Sequence, residues 1–402
     1  MGTRRDEEHL DWSAKQSRIL TDGGKANEHY SKENGYPFTP SELPHYHLRR
    51  GDSHDVFRGW ATGIDDGETR RVPFFAASRV LRCPVVGVWG RPLFAGSAGG
   101  RFEFSTNETV YNIQTNGLFV DLRVPTTQPK IEAGKRSGGA TTRQVLESLN
   151  DEELKLLARQ HIFAGYTLLT REGSETTRPI ATRHHCIDWN YLPGKPRPRP
   201  NKWFVEVGDK NANVWRETSY ATDENGQSYY FELWERIPGD DGFRLAIRKR
   251  ANASGFDEAD GIIVALGDHF NYILGRQFTG GERTYPSASS TVELVDMALD
   301  SGDRESAISY LTINGGHGRI STGWKIDCSV HPWLLGNNVF RCLDDTIDVV
   351  RVNGKESDPF GWSVIIGSSV WEVYECSLSS PEQLEIVLNN IRKDDGPRES
   401  RL

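Results

Sequence analysis

From Val85 onward the chain is written in short runs of β-branched and aromatic residues, broken by Gly, Asn and Pro about every ten residues. VVGVWGRPLF, GRFEFST, TVYNIQT and GLFVDLRVP follow one another in this way. That is how the strands of a sandwich or barrel read. A helix interrupts at SLNDEELKLLARQ, where Asn150 is the N-cap, Glu153 stands at N3, and Leu154, Leu157 and Ala158 form a short apolar stripe. YTLLTREG, TRPIATRHHCIDWNYL, KWFVEVGDKNANVWRETS and SYYFELWERI continue the strand pattern. A second series starts near Gly242 with FRLAIRKRA, GIIVALGDHFNYILGRQF, SAISYLTING, RISTGWKIDCSV, TIDVVRVNG and SSVWEVYECSL. A helix, VELVDMAL, sits within it. The last element is the helix SPEQLEIVLNNIRK, with Ser380 as N-cap, Pro381 at N1 and Gln383 completing a capping box.

The 402 residues suit two domains. Aromatic residues make up 10% of the chain, including 11 Trp, which marks a folded rather than a disordered protein. With 40 Gly and 19 Pro against 2 Met, the core is expected to be branched and aromatic, as β structure requires. A net charge of −8 with no dense basic footprint argues against a nucleic-acid partner. No run approaches the length of a transmembrane helix, so no membrane role is expected. The start, MGTRRDEEHLDW, lacks an apolar h-region, and Asp6 occupies the position where myristoylation prefers a small hydroxyl. Cys83, Cys186, Cys328, Cys342 and Cys376 are odd in number and free of any CxxC, which suits reduced thiols and a cytoplasmic location. Residues 1–84 read as a partly flexible arm, with VPFFAASRVL apolar enough to dock. KPRPRPNK, residues 195–202, is basic and extended: a solvated loop, or a docking site for a partner.

Gly87-Val88-Trp89, opening the first strand, resembles the first-strand signature of lipocalin-like barrels, in which the indole closes one end. Arg91, YNIQTNGLFVDLRVP, DEELKLLARQHIFAG, HHCIDWN, YYFELWERI, GIIVALGDHFNYILGR and CSVHPWLLG then follow in order. Together they resemble a family of mostly uncharacterised bacterial and fungal proteins related to the yeast casein-kinase-interacting protein. The resemblance covers roughly residues 85–378. It implies a mainly β fold of two lipocalin-like (calycin-type) antiparallel barrels with a few short helices, residues 85–240 forming the first and 241–402 the second with its C-terminal helix. This chain has Arg183-His184-His185 where the family pattern has Trp-His-Arg, which bears on the role of His184.

Period-two alternation sorts the candidate residues by face. His184, Cys186, Asp188 and Asn190 share one face of their strand, and Arg183, His185 and Ile187 the other. His184 and Asp188 are about 13 Å apart on a regular strand, too far to bond unless a bulge intervenes. Glu232 shares a face with Tyr230, Trp234 and Arg236: an acid of raised pKa between aromatic rings, or a solvent-side ion pair. Phe119, Asp121 and Arg123 share a face opposite Leu118, Val120, Leu122 and Val124, and the favoured orientation puts the aliphatic side in the core and the charges outside. GIIVAL is apolar on both faces, a central strand that carries Asp268, Phe270 and Tyr272 along one side, with Arg276 as an ion-pair partner for Asp268.

These assignments give His184, Glu232, Asp268 and Tyr272 as catalytic candidates, and Tyr111, Phe119, Arg123, Trp234 and Phe270 as ligand-binding candidates. GxGxxG before a helix, GxxxxGK[ST], GxSxG and HExxH are all missing, and no His spacing makes a metal site, so no cofactor or metal is expected. Three functions follow: binding of a small, mainly apolar or aromatic molecule in the barrel; a cofactor-independent isomerase, cyclase or lyase; and a protein-interaction module.

Overall fold

The computed structural model describes residues 85–98, 101–105, 108–125, 141–170, 179–192, 201–208, 211–220, 230–249, 260–276, 281–343, 346–351 and 361–389. The arm expected over residues 1–84 and most of KPRPRPNK lie outside them.

Nine strands form the first sheet: β1 (Gly87–Ala98), β2 (Arg101–Ser105), β3 (Glu108–Gln114), β4 (Phe119–Pro125), β5 (His161–Thr170), β6 (Ile180–Asp188), β7 (Asn201–Gly208), β8 (Asn211–Ser219) and β9 (Phe231–Arg236). β1 and β3 to β9 are antiparallel neighbours in order, and β9 pairs back onto β1, with Trp89 opposite Arg236 and Phe94 opposite Glu232. Eight strands therefore close a barrel, and β2 extends the far end of β1. Closure leaves no free edge along these strands.

The second sheet has the order β14-β13-β12-β11-β10-β17-β16-β15, all antiparallel. Its strands are β10 (Arg244–Lys249), β11 (Gly261–Leu266), β12 (His269–Leu274), β13 (Asn314–Arg319), β14 (Lys325–Ser329), β15 (Ile347–Arg351), β16 (Trp362–Ile366) and β17 (Ser369–Cys376). Among the described residues no ladder joins its outer strands, β14 and β15. The fold is thus mainly β: a closed eight-stranded antiparallel barrel, a second antiparallel sheet, and few helices.

The helices are α1 (Thr142–Ser148), α2 (Asp151–Ala158), α3 (Thr291–Asp300), α4 (Arg304–Tyr310), α5 (Val339–Leu343) and α6 (Pro381–Asn389). The capping box expected for α2 forms: Asn150 accepts from the Glu153 amide and Glu153 accepts from the Asn150 amide. Two expectations are corrected. GIIVALGDHFNYIL is not one strand but the hairpin of β11 and β12, because Gly267 at φ +58 turns the chain there. SAISYL is helical rather than extended: it lies in α4, where Asp303 caps the Ser306 amide, and β13 begins only at Asn314.

The two sheets share a core, and Trp89, Trp203, Val205, Trp215 and Trp234 belong to a second, smaller cluster within the first sheet. The shared hydrophobic cluster runs from Val88, Leu118, Val120, Leu122 and Val124 to Ile262, Val264, Phe270 and Ile273. The Asn271 side-chain amide crosses this seam, donating to the Tyr111 carbonyl at 2.9 Å and the Val120 carbonyl at 3.0 Å. The aliphatic face of β4 therefore lies under the second sheet, and its charged face points into the barrel. This reverses the expected placement of Asp121 and Arg123 outside.

Candidate functional site

The inward faces of the barrel strands carry charge. Asp121 of β4 is fully buried, and Arg91, Arg183, Glu217 and Glu232 are each less than 10% exposed. Arg91 Nη1 lies 2.7 Å from Glu232 Oε1, and Arg91 also pairs with Glu108. Arg123 Nε donates to Asp121 Oδ1 at 2.8 Å, and its Nη1 lies 3.6 Å from Glu232. Arg183 Nη1 and the Asn112 amide donate to Asp121 Oδ2 at 3.3 and 2.8 Å. Burial alone would raise the Asp121 carboxyl, but Arg123, Arg183 and Asn112 hold it far below the ordinary carboxylate range.

Beside this network lies an aromatic wall. The Trp215 and Trp234 rings stack with centroids 5.5 Å apart, and Trp89 meets Trp215 edge-on at 6.0 Å. The Arg183 guanidinium sits over Phe119 at 4.2 Å and Trp203 at 4.9 Å. In the ladder between β8 and β9, Trp215 faces Trp234 and Glu217 faces Glu232. Two carboxyl groups therefore oppose each other inside the barrel. Burial, and then Glu232, push the Glu217 carboxyl up to about 8, so it holds its proton at neutral pH. Tyr230 donates to the other Glu217 oxygen at 2.9 Å. Arg183 Nε, Trp203 Nε1, Trp215 Nε1, Trp234 Nε1, Glu217 Oε2 and Glu232 Oε2 are all buried without a hydrogen-bonding partner among the described residues.

Four of the residues singled out from sequence thus meet in the barrel interior: Phe119, Arg123, Glu232 and Trp234. The others do not join them. His184 faces away from Arg183, stacks on Tyr166 at 4.6 Å, and is pushed down to about 3 by burial and by His185. Tyr272 is buried in the second sheet and donates to Asn314 Oδ1 at 3.0 Å. Phe270 packs on Trp324 at 5.1 Å. Asp268 sits in the β11–β12 turn, accepting from the Ser321 amide at 2.7 Å, with Arg319 rather than Arg276 as its ion-pair partner at 3.5 Å. Arg276 instead donates to the carbonyls of Tyr310, Trp189 and Tyr191. Tyr111 lies between the sheets, stacked on His317 at 3.8 Å.

Three features are absent from the sequence-based expectations. Glu217 was hidden within KWFVEVGDKNANVWRETS; its only signal is its place two residues after Trp215. A register shift between Ala164 and Gly165 brings His185 and Asp188 to the same side of β6, with Nδ1 and Oδ2 2.5 Å apart. His161 approaches the other Asp188 oxygen at 3.4 Å. Burial would raise Asp188, but these two imidazoles keep it ionised. Finally, at the seam, Asp327 Oδ1 lies 2.6 Å from His317 Nδ1, His317 Nε2 lies 3.0 Å from His269 Nδ1, and His269 Nε2 lies 2.9 Å from the Pro238 carbonyl.

Among the described residues, no group of three or more His, Cys, Asp or Glu side chains is arranged to hold a metal ion, and no helix is long and apolar enough to cross a membrane.

No family model and no curated protein matches this chain. Among solved structures, an uncharacterized protein from Saccharomyces cerevisiae, YLR301w, is similar at 12% identity over 72% of this chain and 98% of that chain. The TM-score is 0.38, too low to carry an argument about fold or function. A link to a casein-kinase-interacting family is not shown by these comparisons.

Proposed function

We propose that the closed barrel binds a small molecule in its interior, through polar groups set among aromatic rings. One observation supports this reading most. Buried donors on Arg183, Trp203 and Trp234 and buried carboxyl oxygens on Glu217 and Glu232 have no partner among the described residues. Polar atoms in that position cost free energy unless something bonds to them. An eight-stranded barrel has room for side chains or one small ligand, and binding pockets commonly combine aromatic walls with a few polar anchors. The interior is more polar than the apolar or aromatic pocket expected from sequence, so the ligand class moves towards molecules that hydrogen-bond at both ends. Native mass spectrometry after incubation with a metabolite extract tests the proposal. A retained molecule that quenches tryptophan fluorescence, and is lost in Trp234→Ala or Arg123→Met, supports it; a chain that retains nothing from the extract overturns it.

Acid–base catalysis without a cofactor is a second reading. It draws on the Asp188–His185 pair, with His161 as a second imidazole, close to Phe163, whose ring stacks on His185 at 4.3 Å. Consumption of an extract component with formation of a product, abolished in Asp188→Asn, would favour it. Binding without any chemical change would remove it.

A further inference from the structure

We propose that the facing pairs Glu217/Glu232 and Trp215/Trp234 form a binding site for a small organic cation. This rests on the reading that the barrel interior binds a ligand.

The argument starts from register. Trp215 and Glu217 alternate on the inner face of β8, and Trp234 and Glu232 lie directly opposite on β9. Two indole rings, stacked on each other, therefore neighbour two carboxyl groups along the ladder, the pairing of groups that recognises an ammonium: charge from the acids and cation–π attraction from the rings. Each carboxyl group also has an oxygen without a partner among the described residues, Oε2 in both cases.

The charges inside the barrel give the sign of the ligand. Arg123 and Arg183 are matched by Asp121, and Arg91 lies between Glu232 and the rim residue Glu108. Glu217 is the remaining acid. Among the described residues no cation lies within ion-pairing distance of it, and the Tyr230 hydroxyl donates to its Oε1 at 2.9 Å. The groups that act on it are Glu232 on β9, Tyr230 just before that strand, Arg183 on β6 and Arg123 on β4, with Asp121 and Arg91 behind them. A proton neutralises Glu217 while the site is unliganded. A ligand bearing one positive charge supplies the same neutralisation, so the proton leaves as the cation enters. Among the described residues, Arg91, Arg123 and Arg183 each already pair with a carboxylate, which disfavours an anion at their guanidinium groups.

Titration calorimetry of the full chain with benzyltrimethylammonium, whose charge does not titrate, tests this against benzyl alcohol and benzoate. The cation is expected to bind best. Its affinity should rise about tenfold per pH unit below about pH 8 and level off above, with about one proton released per site at neutral pH. In Glu217→Gln, which keeps the shape of the protonated side chain, the pH slope should vanish and the affinity above pH 8 should fall about tenfold or more. Infrared difference spectra supply a readout that needs no ligand: a protonated carboxyl band that titrates near pH 8 in the wild type and is missing from Glu217→Gln. Preference for benzoate, or cation binding unchanged in Glu217→Gln, would overturn the cation site while leaving the barrel a binding site. Retention of an extract component together with no response to the cation would do the same. Failure of every probe and of the extract would overturn both.

Discussion

Asp121 shows how a charged interior is held together. Its carboxylate accepts from Arg123, Arg183 and Asn112 with no exposure to solvent, and removing it leaves the buried Arg183 guanidinium without its ion pair and Arg123 with Glu232 alone. Breaking a buried ion pair from one side costs about 3–5 kcal/mol. Asp121→Asn is therefore expected to lower unfolding free energy by about that much in urea melts. Because its pKa is depressed, the stability it contributes is present above the ordinary value of 3.8 and is lost as pH falls below it. Glu217 works in the opposite direction. Its carboxyl is raised from 4.5 to about 8, so the folded state holds an extra proton between those values. Its favourable contribution is complete below the unfolded pKa and fades as pH rises towards the folded one. Against Glu217→Gln, the wild type should lose up to about 1.4 kcal/mol per pH unit over that window and then level off, as paired denaturation curves at several pH values would show.

At the scale of elements, the bulge between β5 and β6 does what regular alternation cannot. It pairs Gly165 with His185 and Phe163 with Asp188, leaving Cys186 as the extra residue. Gly165 makes the close approach possible: a Cβ there would sit 1.9 Å from the His184 carbonyl oxygen. Gly165→Ala should therefore force the strands apart and break the His185–Asp188 contact, raising the NMR-measured pKa of Asp188 and lowering the melting temperature. Sequence reading met its limit at this kind of place. Period-two arithmetic put Asp188 opposite His185, because a bulge leaves no mark in the pattern. It placed Glu232 correctly beside Tyr230 and Trp234, because β9 is regular. The face of β4 was undecidable for another reason: both sides are buried, one in the barrel and one under the second sheet, so apolar character alone cannot identify the interior. The β11–β12 hairpin was missed because apolar residues flank Gly267-Asp268 on both sides and mask the turn.

The whole molecule divides by sheet but not by core. A boundary near residue 240 separates the barrel from the second sheet along the chain, yet Val120, Leu122 and Val124 pack into the same cluster as Ile262, Val264 and Phe270. A fragment of residues 85–240 would expose that face of β4 together with the carbonyls that Asn271 serves. Such a fragment is expected to aggregate or remain partly folded. The full chain should unfold in one transition, with circular dichroism and tryptophan fluorescence coinciding; two separated transitions would establish independent domains.

The chain of contacts from Asp327 to Pro238 has an arithmetic of its own. The Pro238 carbonyl only accepts, so His269 must carry hydrogen on Nε2. Hydrogen bonds at all three contacts together need one hydrogen between the two rings and another between His317 and Asp327. That makes three, one more than two neutral rings hold. Burial keeps both rings below the usual histidine range, although Asp327 favours a charge on His317, so at neutral pH one of the three contacts goes without its hydrogen. Asp327→Asn, whose amide can donate to His317, should fill all three with two neutral rings, and nitrogen-15 spectra of the two rings would then show two protonated nitrogens, with no third appearing as pH is lowered towards about 6.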